Sequence, residues 1–176
     1  MKTKILSLIV FVLILSSCET EDTNVTVTEA DLIGVWNLTE QTIENGLITY
    51  SGNGQNLSAT YSAYAKNIEM TLTFTDNPKK IYATGKYTIV TTVSALGQTQ
   101  TEEEEIYAVN DPDLSPTWEL NGNIILFSND SDFPANMIID SFDGTTLRLR
   151  GEVDETVSEN GQSATAKATM RMALMK

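Results

Sequence analysis

Three stretches of this chain alternate between apolar or small residues and polar residues, which is the pattern of half-buried antiparallel strands. The apolar set recurs at every second position from Ile68 to Phe74, from Leu147 to Val153 and from Ala164 to Leu174. A period of two places each set on one face of its strand. The pattern therefore predicts a sheet with one buried face and one solvated face.

Turn sequences separate these stretches. Asn-Gly or Asp-Gly pairs occur at residues 45–46, 121–122, 143–144 and 160–161. Such pairs suit two-residue hairpins because they tolerate positive φ. Ala95-Leu96-Gly97-Gln98 and Asp76-Asn77-Pro78 predict further turns. No long amphipathic helix and no alternation of strands with helices is visible, which argues against a parallel sheet.

The pattern as a whole predicts an all-β, antiparallel fold of about eight to ten strands. Residues 52–64 fit either a hairpin arm or a loop. Consecutive hairpins of this number can remove their open edges by closing into an up-and-down barrel, with a sandwich as the alternative. We expect the first strand to pair with the last. The predicted strands are residues 34–44, 47–50, 67–75, 80–95, 98–109, 117–121, 123–128, 136–142, 145–158 and 162–175.

The first eighteen residues follow a different pattern. Lys2 and Lys4 precede an apolar run from Ile5 to Leu15 that only Ser7 interrupts. As a helix this run spans about 16 Å, roughly half a bilayer core, so it suits an export signal better than a membrane span. Leu15-Ser16-Ser17-Cys18 follows, and the segment resembles a bacterial lipoprotein signal peptide. The alternative is a secreted protein with one stray thiol.

This resemblance implies a signal peptide at residues 1–17 and a mature chain held in the membrane by acyl groups on Cys18. Glu19 follows the cysteine in place of aspartate, which favours delivery to the outer membrane of the cell envelope. Residues 18–27 are polar and acidic and predict a tether. Residues 19–22 resemble the acidic tracts that send Bacteroidetes lipoproteins to the cell surface, although a solvated tether explains them equally well.

Charge limits the partners of the remaining chain. The mature chain has 159 of the 176 residues, with nine basic and 24 acidic side chains, for a net charge of −15. Such a surface repels nucleic acid and anionic lipid, so we expect neither as a partner. The length fits a single domain over residues 28–176. Thr28 and Asp31 have a capping-box spacing and predict one helical turn at its start.

The segment after this turn resembles a known family. Leu32-Ile33-Gly34-Val35-Trp36-Asn37-Leu38 is similar to the Gly-x-Trp opening of lipocalins. The strand with Met70 and Phe74, the hairpin at 118–127 and the segment 138–149 extend a similarity to lipocalin-like lipoproteins of the Bacteroidetes. The resemblance implies a lipocalin-like barrel in which Trp36 plugs the closed end. It also implies an arginine stacked across that tryptophan, with Arg171 as the first candidate and Arg150 as the second.

Ordinary core and surface positions also account for Trp36 and Arg171. One feature departs from the family: the α-helix that lies beside lipocalin barrels has no counterpart in the sequence pattern.

The residues do not indicate catalysis. The chain has no histidine, no Gly-x-Ser-x-Gly motif and no phosphate-binding glycine loop. Asp111 with Asp113, and Asp130 with Asp132, are carboxylate pairs that fit solvated loops better than glycoside hydrolysis or calcium binding. Residues 102–105 are four consecutive glutamates, which predict a charged strand that discourages edge pairing. We expect no enzyme, no cofactor and no metal site.

Two classes of function remain. The first is a barrel whose interior binds a small apolar or amphipathic ligand. The second is a non-catalytic cell-envelope module that binds protein or glycan through loops or the outer face. A small barrel can be filled by side chains or hold one ligand, so a filled core fits the same residues. Ala164, Ala166 and Ala168 leave room on the inward face. The candidate ligand-binding residues are Met70, Leu72, Phe74, Tyr87, Ile89, Leu149, Met170 and Met172.

Overall fold

The computed structural model describes residues 25–52, 55–108, 115–128, 134–159 and 162–176. One helical turn, α1, precedes nine strands, which confirms the predicted all-β class and strand number. The elements are α1 (Glu29–Leu32), β1 (Gly34–Gly52), β2 (Gln55–Phe74), β3 (Ile81–Ala95), β4 (Gln98–Tyr107), β5 (Trp118–Asn121), β6 (Ile124–Phe127), β7 (Asn136–Phe142), β8 (Thr146–Glu159) and β9 (Gln162–Met175).

The predicted helical turn is present, and side chains hold its first residue. The backbone N–H of Thr28 donates to the carboxylate of Asp31 at 2.8 Å, and the Thr28 hydroxyl donates to the same oxygen at 2.6 Å. These bonds lower the pKa of Asp31, the Thr28 side chain being the main cause. Val27 is buried and Val25 packs against the core, so packing begins before residue 28.

The nine strands form a single antiparallel sheet in the order β4-β3-β2-β1-β9-β8-β7-β6-β5. The predicted pairing of the first strand with the last is confirmed, with Asn37 opposite Met175 and Ser51 opposite Ser163. This pair lies in the middle of the sheet and does not close a cylinder. Among the described residues, β4 and β5 each pair on one side only and form the two ends of the strand order.

The sheet curls so that its distant parts meet near the start of β3. Lys80 and Thr117 form an isolated antiparallel bridge, and the N–H of Trp118 donates to the carbonyl of Lys79 at 3.2 Å. The rings of Phe74 on β2 and Trp118 on β5 meet edge to face with centroids 5.5 Å apart. Since β2 and β5 are far apart in the strand order, the sheet must bend around the side chains between them.

The Asn45-Gly46 pair forms a bulge inside β1, so the predicted hairpin turn at this position is wrong. Asn45 has a φ of 53°, and the register of β1 shifts here against both neighbouring strands. A Cβ on Gly46 would lie 2.3 Å from the carbonyl oxygen of Tyr61 and 2.5 Å from its ring. Residues 34–44 and 47–50 therefore belong to one strand, and most of the ambiguous segment 52–64 is the first part of β2.

The other predicted turns have mixed outcomes. Leu96 and Gly97, both at positive φ, form the two-residue turn between β3 and β4. Gly122 and Asn123 connect β5 to β6, one residue later than predicted. The pair at 143–144 lies between β7 and β8 as expected. The pair at 160–161 lies outside the described residues, although Glu159 and Gln162 on either side of it pair.

Candidate binding face

The part of the sheet that includes β5, β6 and β7 encloses a cluster of buried apolar side chains. Register places all eight predicted ligand-binding residues on one face, the inner face. Six of them are buried in a single hydrophobic cluster: Met70, Leu72, Phe74, Leu149, Met170 and Met172. Tyr87 packs against that cluster, and Ile89 is half-buried just above it. The six buried residues therefore belong to the hydrophobic core of the protein.

α1, Trp36 and Lys176 cover one end of the core. Trp36 is fully buried, its indole N–H donates to the carbonyl of Leu32 at 2.7 Å, and its ring meets Phe142 edge to face. The Nζ of Lys176 lies 4.7 Å from the Trp36 ring centroid and donates to the backbone carbonyl of Asp31 at 2.6 Å. Gly34 has a φ of 127°, which favours glycine.

The cation over Trp36 is Lys176, so the predicted stacking of Arg171, or of Arg150, is not observed. Arg171 lies between the inward residues Met170 and Met172, so alternation points its side chain outward. There its guanidinium contacts Glu44 at 3.1 Å and Asp140 at 3.3 Å. Arg150 also lies on the outer face and contacts Asp140.

Trp118 is a second buried tryptophan with a lysine over its ring, and the sequence pattern did not predict this. Trp118 is buried beside Phe74, and its indole N–H donates to the carbonyl of Thr75 at 3.0 Å. The Nζ of Lys79 lies 5.5 Å from the Trp118 ring centroid and contacts the carboxylate of Glu29. This arrangement ties α1 to the start of β3.

Above the core, the inner face of the sheet continues without a cover from the short strands. β5, β6 and β7 have only four, four and seven residues, whereas β1, β2, β3, β8 and β9 have 14 to 20. The pairing of β7 with β8 ends at Gly151. In the described chain, β8 beyond that residue pairs with β9 alone. Together with β4, which pairs along β3, six strands thus project past the core.

We call the inward side chains of this projecting part the distal inner face. Most are apolar or small, and several are widely exposed: Leu57 is 48%, Val157 70% and the adjoining turn residue Leu96 89% exposed. Such an apolar surface is typical of a binding site. The face comprises Ile48, Tyr50, Leu57, Ala59, Tyr61, Val93, Ala95, Gln100, Glu102, Glu104, Val153, Glu155, Val157, Ala164 and Ala166.

Part of the distal inner face forms a groove of about 140 Å³ where the β1–β2 hairpin meets the end of β3. The groove is open to solvent on one side. Its walls are almost entirely apolar: Ile48, Tyr50, Leu57, Ser58, Ala59, Ala95 and Leu96. Ala164 lies beside Tyr50 and Ala166 beside Ile48. Because their side chains are single methyl groups, they leave space above the sheet next to the groove.

Charges are sorted between the two faces of the long strands. In the described ranges, the lysines and arginines of β2, β3, β8 and β9 point outward and form ion pairs: Lys66 with Glu103, Lys86 with Glu105, Arg148 with Glu40, Arg150 with Asp140 and Glu152, Lys167 with Asp154, and Arg171 with Glu44 and Asp140. The distal inner face carries carboxylates instead, at Glu102, Glu104 and Glu155.

The glutamate run at residues 102–105 lies on β4, the strand at one end of the sheet, as its charge indicated. The outward pair is compensated, because Glu103 contacts Lys66 at 2.6 Å and Glu105 contacts Lys86 at 2.5 Å. Glu105 also accepts from the hydroxyl of Tyr107, which raises the pKa of that phenol. The inward pair, Glu102 and Glu104, borders the distal inner face.

Glu155 is the residue of this face that sequence reasoning missed. It continues the inward positions of Leu147, Leu149, Gly151 and Val153, so alternation alone identifies a carboxylate on an apolar face. Register places it opposite Ala166. Tyr61 shares this face by register, and the pKa of its phenol is raised by burial and, second, by the negative charge of Glu155.

Other candidate sites add little. The aspartate pairs at 111 and 113 and at 130 and 132 lie outside the described residues, as does Cys18. No cluster of potential metal ligands occurs in the described part of the chain. Within the same part, no helix is long and apolar enough to cross a bilayer. Comparison of the chain with protein-family models, curated proteins and solved structures finds no match.

Proposed function

We propose that this protein is a lipid-anchored, lipocalin-like protein of the cell envelope that binds a small apolar or amphipathic ligand on the distal inner face. One observation carries this proposal: an apolar, solvent-exposed sheet surface continues directly from the hydrophobic core. Exposed apolar surface destabilises a soluble protein unless something covers it, so it is typical of binding sites. We place the proposed site on the open face, because six of the eight candidate residues are buried in the hydrophobic cluster.

The lipocalin-like assignment is supported by the features of the closed end. A helical turn leads through Gly34 into β1, Trp36 is buried beneath a cation, and the first strand pairs with the last. Two features differ from an up-and-down barrel: the strand order has two ends, and α1 is the single helix among the described residues. Contacts between β3 and β5 bring the sheet together at one end, as a partly open barrel requires.

The anchor is proposed from the first eighteen residues alone. Replacement of Cys18 by Ala should release the protein from the membrane fraction, because two or more acyl chains are needed for stable anchoring. Cell fractionation and intact-mass measurement of the wild-type chain test this. A Cys18→Ala protein that stays as firmly bound as the wild type would refute the lipoprotein assignment.

Ligand binding can be tested with N-phenyl-1-naphthylamine, a neutral apolar probe that fluoresces when it leaves water. The full chain is placed in phosphatidylcholine nanodiscs, with empty discs subtracted. Ala166→Leu should reduce probe binding, because the larger side chain would occupy the space beside Ile48 that the methyl group of Ala166 leaves open. The matched control is Thr165→Leu, which adds leucine one residue away on the outer face and should leave binding unchanged. Absence of wild-type binding would refute the proposal.

The interaction-module alternative rests on the exposed residues at the rim of the same surface. The distal inner face is an open sheet surface with Leu96 and Val157 at its rim, and a protein partner can cover such a surface as well as a small molecule can. A photo-crosslinking residue at position 157 separates the two in living cells. A small added mass supports the ligand proposal, and a defined protein adduct supports the alternative.

A further inference from the structure

We propose that the ligand of the distal inner face is a cationic amphiphile: a protonated amine on an apolar body, with its ammonium group held by Glu155 and its body lying across Ala166, Ile48 and Ala59. This inference rests on the proposed function and specifies the chemistry of its ligand. It is drawn from the distribution of charge on the two faces of the sheet.

The register supplies the geometry of the site. Glu155 on β8 lies opposite Ala166 on β9, Ala166 opposite Ile48 on β1, and Ile48 opposite Ala59 on β2. At a strand spacing of about 4.8 Å, these four side chains span roughly 14 Å in one row. The row starts at a carboxylate, crosses a methyl group and ends in the apolar groove. An extended molecule with one charged end fits this sequence of groups.

The surroundings of Glu155 are apolar. Val153 and Val157 precede and follow it on the same face of β8, and Ala164 lies beside Val157 on β9. Register places Tyr61 on the same face, two residues from Ala59 along β2, and the negative charge of Glu155 contributes, after burial, to the raised pKa of its phenol. The carboxylate itself is exposed to solvent, so its attraction for a cation is modest and is screened by salt, and the apolar side chains beside it must contribute the rest of the binding.

The protein supplies no internal counter-charge at this site. In the described residues, the cations of the long strands are outward and paired, as shown above. On β4, Glu102 and Glu104 add two more negative charges at the opposite border of the face. An anionic ligand would be repelled from both sides, whereas a cation would be attracted to either border. The same charge disfavours a second copy of this chain as the occupant, since two acidic faces would meet.

The test compares two ligands of equal length. The two ligands are octylamine, which is protonated at pH 7, and 1-octanol. Each competes with N-phenyl-1-naphthylamine for binding to the full chain in phosphatidylcholine nanodiscs. The signal from empty discs is subtracted. The amine should bind up to about fivefold more tightly than the alcohol, and added salt should reduce its advantage. Glu155→Gln should abolish most of this difference while leaving octanol binding unchanged. Asp154→Asn, one residue away on the outer face, should leave both affinities as in the wild type.

The outcomes separate this inference from the proposal beneath it. Equal binding of amine and alcohol, or an unchanged amine affinity in Glu155→Gln, overturns the cationic assignment and leaves the proposed function standing. Failure of both ligands and of the probe overturns both. Native mass spectrometry of the same samples checks the remaining occupant, because a dimer lost in Val157→Glu would show that a second copy covers the face. If Glu155→Gln does not fold, the double variant Glu102→Gln/Glu104→Gln can be measured in its place. It removes the negative charges at the other border of the face.

Discussion

Adding the same leucine at two inward positions of the β8–β9 hairpin should have opposite effects on stability. Gly151 lies where β7 covers the sheet: a Cβ there would be 2.3 Å from the sulfur of Met137 and 2.9 Å from two carbons of Pro134. Met137 has no exposed surface, so it cannot move into solvent. Ala166 is half-buried and lies on the projecting part of the sheet, where β7 does not reach.

The magnitudes follow from these surroundings. Overpacking a filled core costs about 1–3 kcal/mol, and Gly151→Leu belongs at the upper end because its first carbon already overlaps. For a chain of this size, about 3 kcal/mol lowers the melting temperature by roughly 6–12 °C. Ala166→Leu should change the free energy of unfolding by less than about 0.5 kcal/mol, as substitutions on open surfaces do.

Thermal unfolding followed by circular dichroism near 215 nm, with urea titration as a second measure, tests the pair. Thr165→Leu on the outer face controls for the effect of leucine itself on strand stability. A loss of stability in Ala166→Leu equal to that in Gly151→Leu would mean that the distal inner face is covered within the monomer. The reasoning behind the proposed site would then fail.

Three further predictions concern the turns and the last strand. Leu96→Asn should raise the free energy of unfolding by up to about 1 kcal/mol, because asparagine tolerates the positive φ of 52° better than leucine does. Urea titration measures this change, and no gain would mean that the turn is unstrained. Asp143→Asn should remove a pH dependence of the free energy of unfolding. The N–H groups of Thr146 and Thr145 lower the pKa of Asp143 from 3.8 to about 2. The stability that its carboxylate contributes is therefore complete above pH 4 and is lost as the pH falls through 2. Unfolding curves at pH 2, 3, 4 and 6 should therefore converge for the two proteins at low pH. Deletion of residues 167–176 should abolish cooperative unfolding, since it removes pairing partners from both β1 and β8, and a sharp thermal transition in the truncated chain would contradict this.

Alternation predicted which side chains share a face, because a strand's period depends only on local geometry. It placed Met170 and Met172 together, and the structure packs both in the core. The same rule already implied that Arg171 between them points outward, so its assignment to Trp36 conflicted with the pattern itself. Glu155 could have been found in the same way, as the one charged residue in an inward series.

Long-range pairing decided what the sequence left open. Asn45-Gly46 suits a hairpin turn and a bulge equally, since both use positive φ. Only the continuous pairing of β1 with two neighbours on both sides of the pair selects the bulge. Likewise, no local pattern shows where a buried face ends. That boundary depends on where the short β7 stops along β8, which is a property of the assembled sheet.

The central place of β9 determines when the sheet can be completed. Without β9 the order separates into two smaller sheets, β4-β3-β2-β1 and β8-β7-β6-β5, each with a long unpaired edge. β1 meets β9 more than 110 residues further along the chain, and contacts of such sequence separation form slowly.

During synthesis from the amino end, β9 is the last strand to appear. The two halves of the sheet therefore cannot join until residues 162–175 have been made, and every shorter chain leaves the edges of β1 and β8 unpaired. Once β9 inserts, it covers both open edges in one step, so unfinished chains and finished ones should differ sharply in their resistance to proteases.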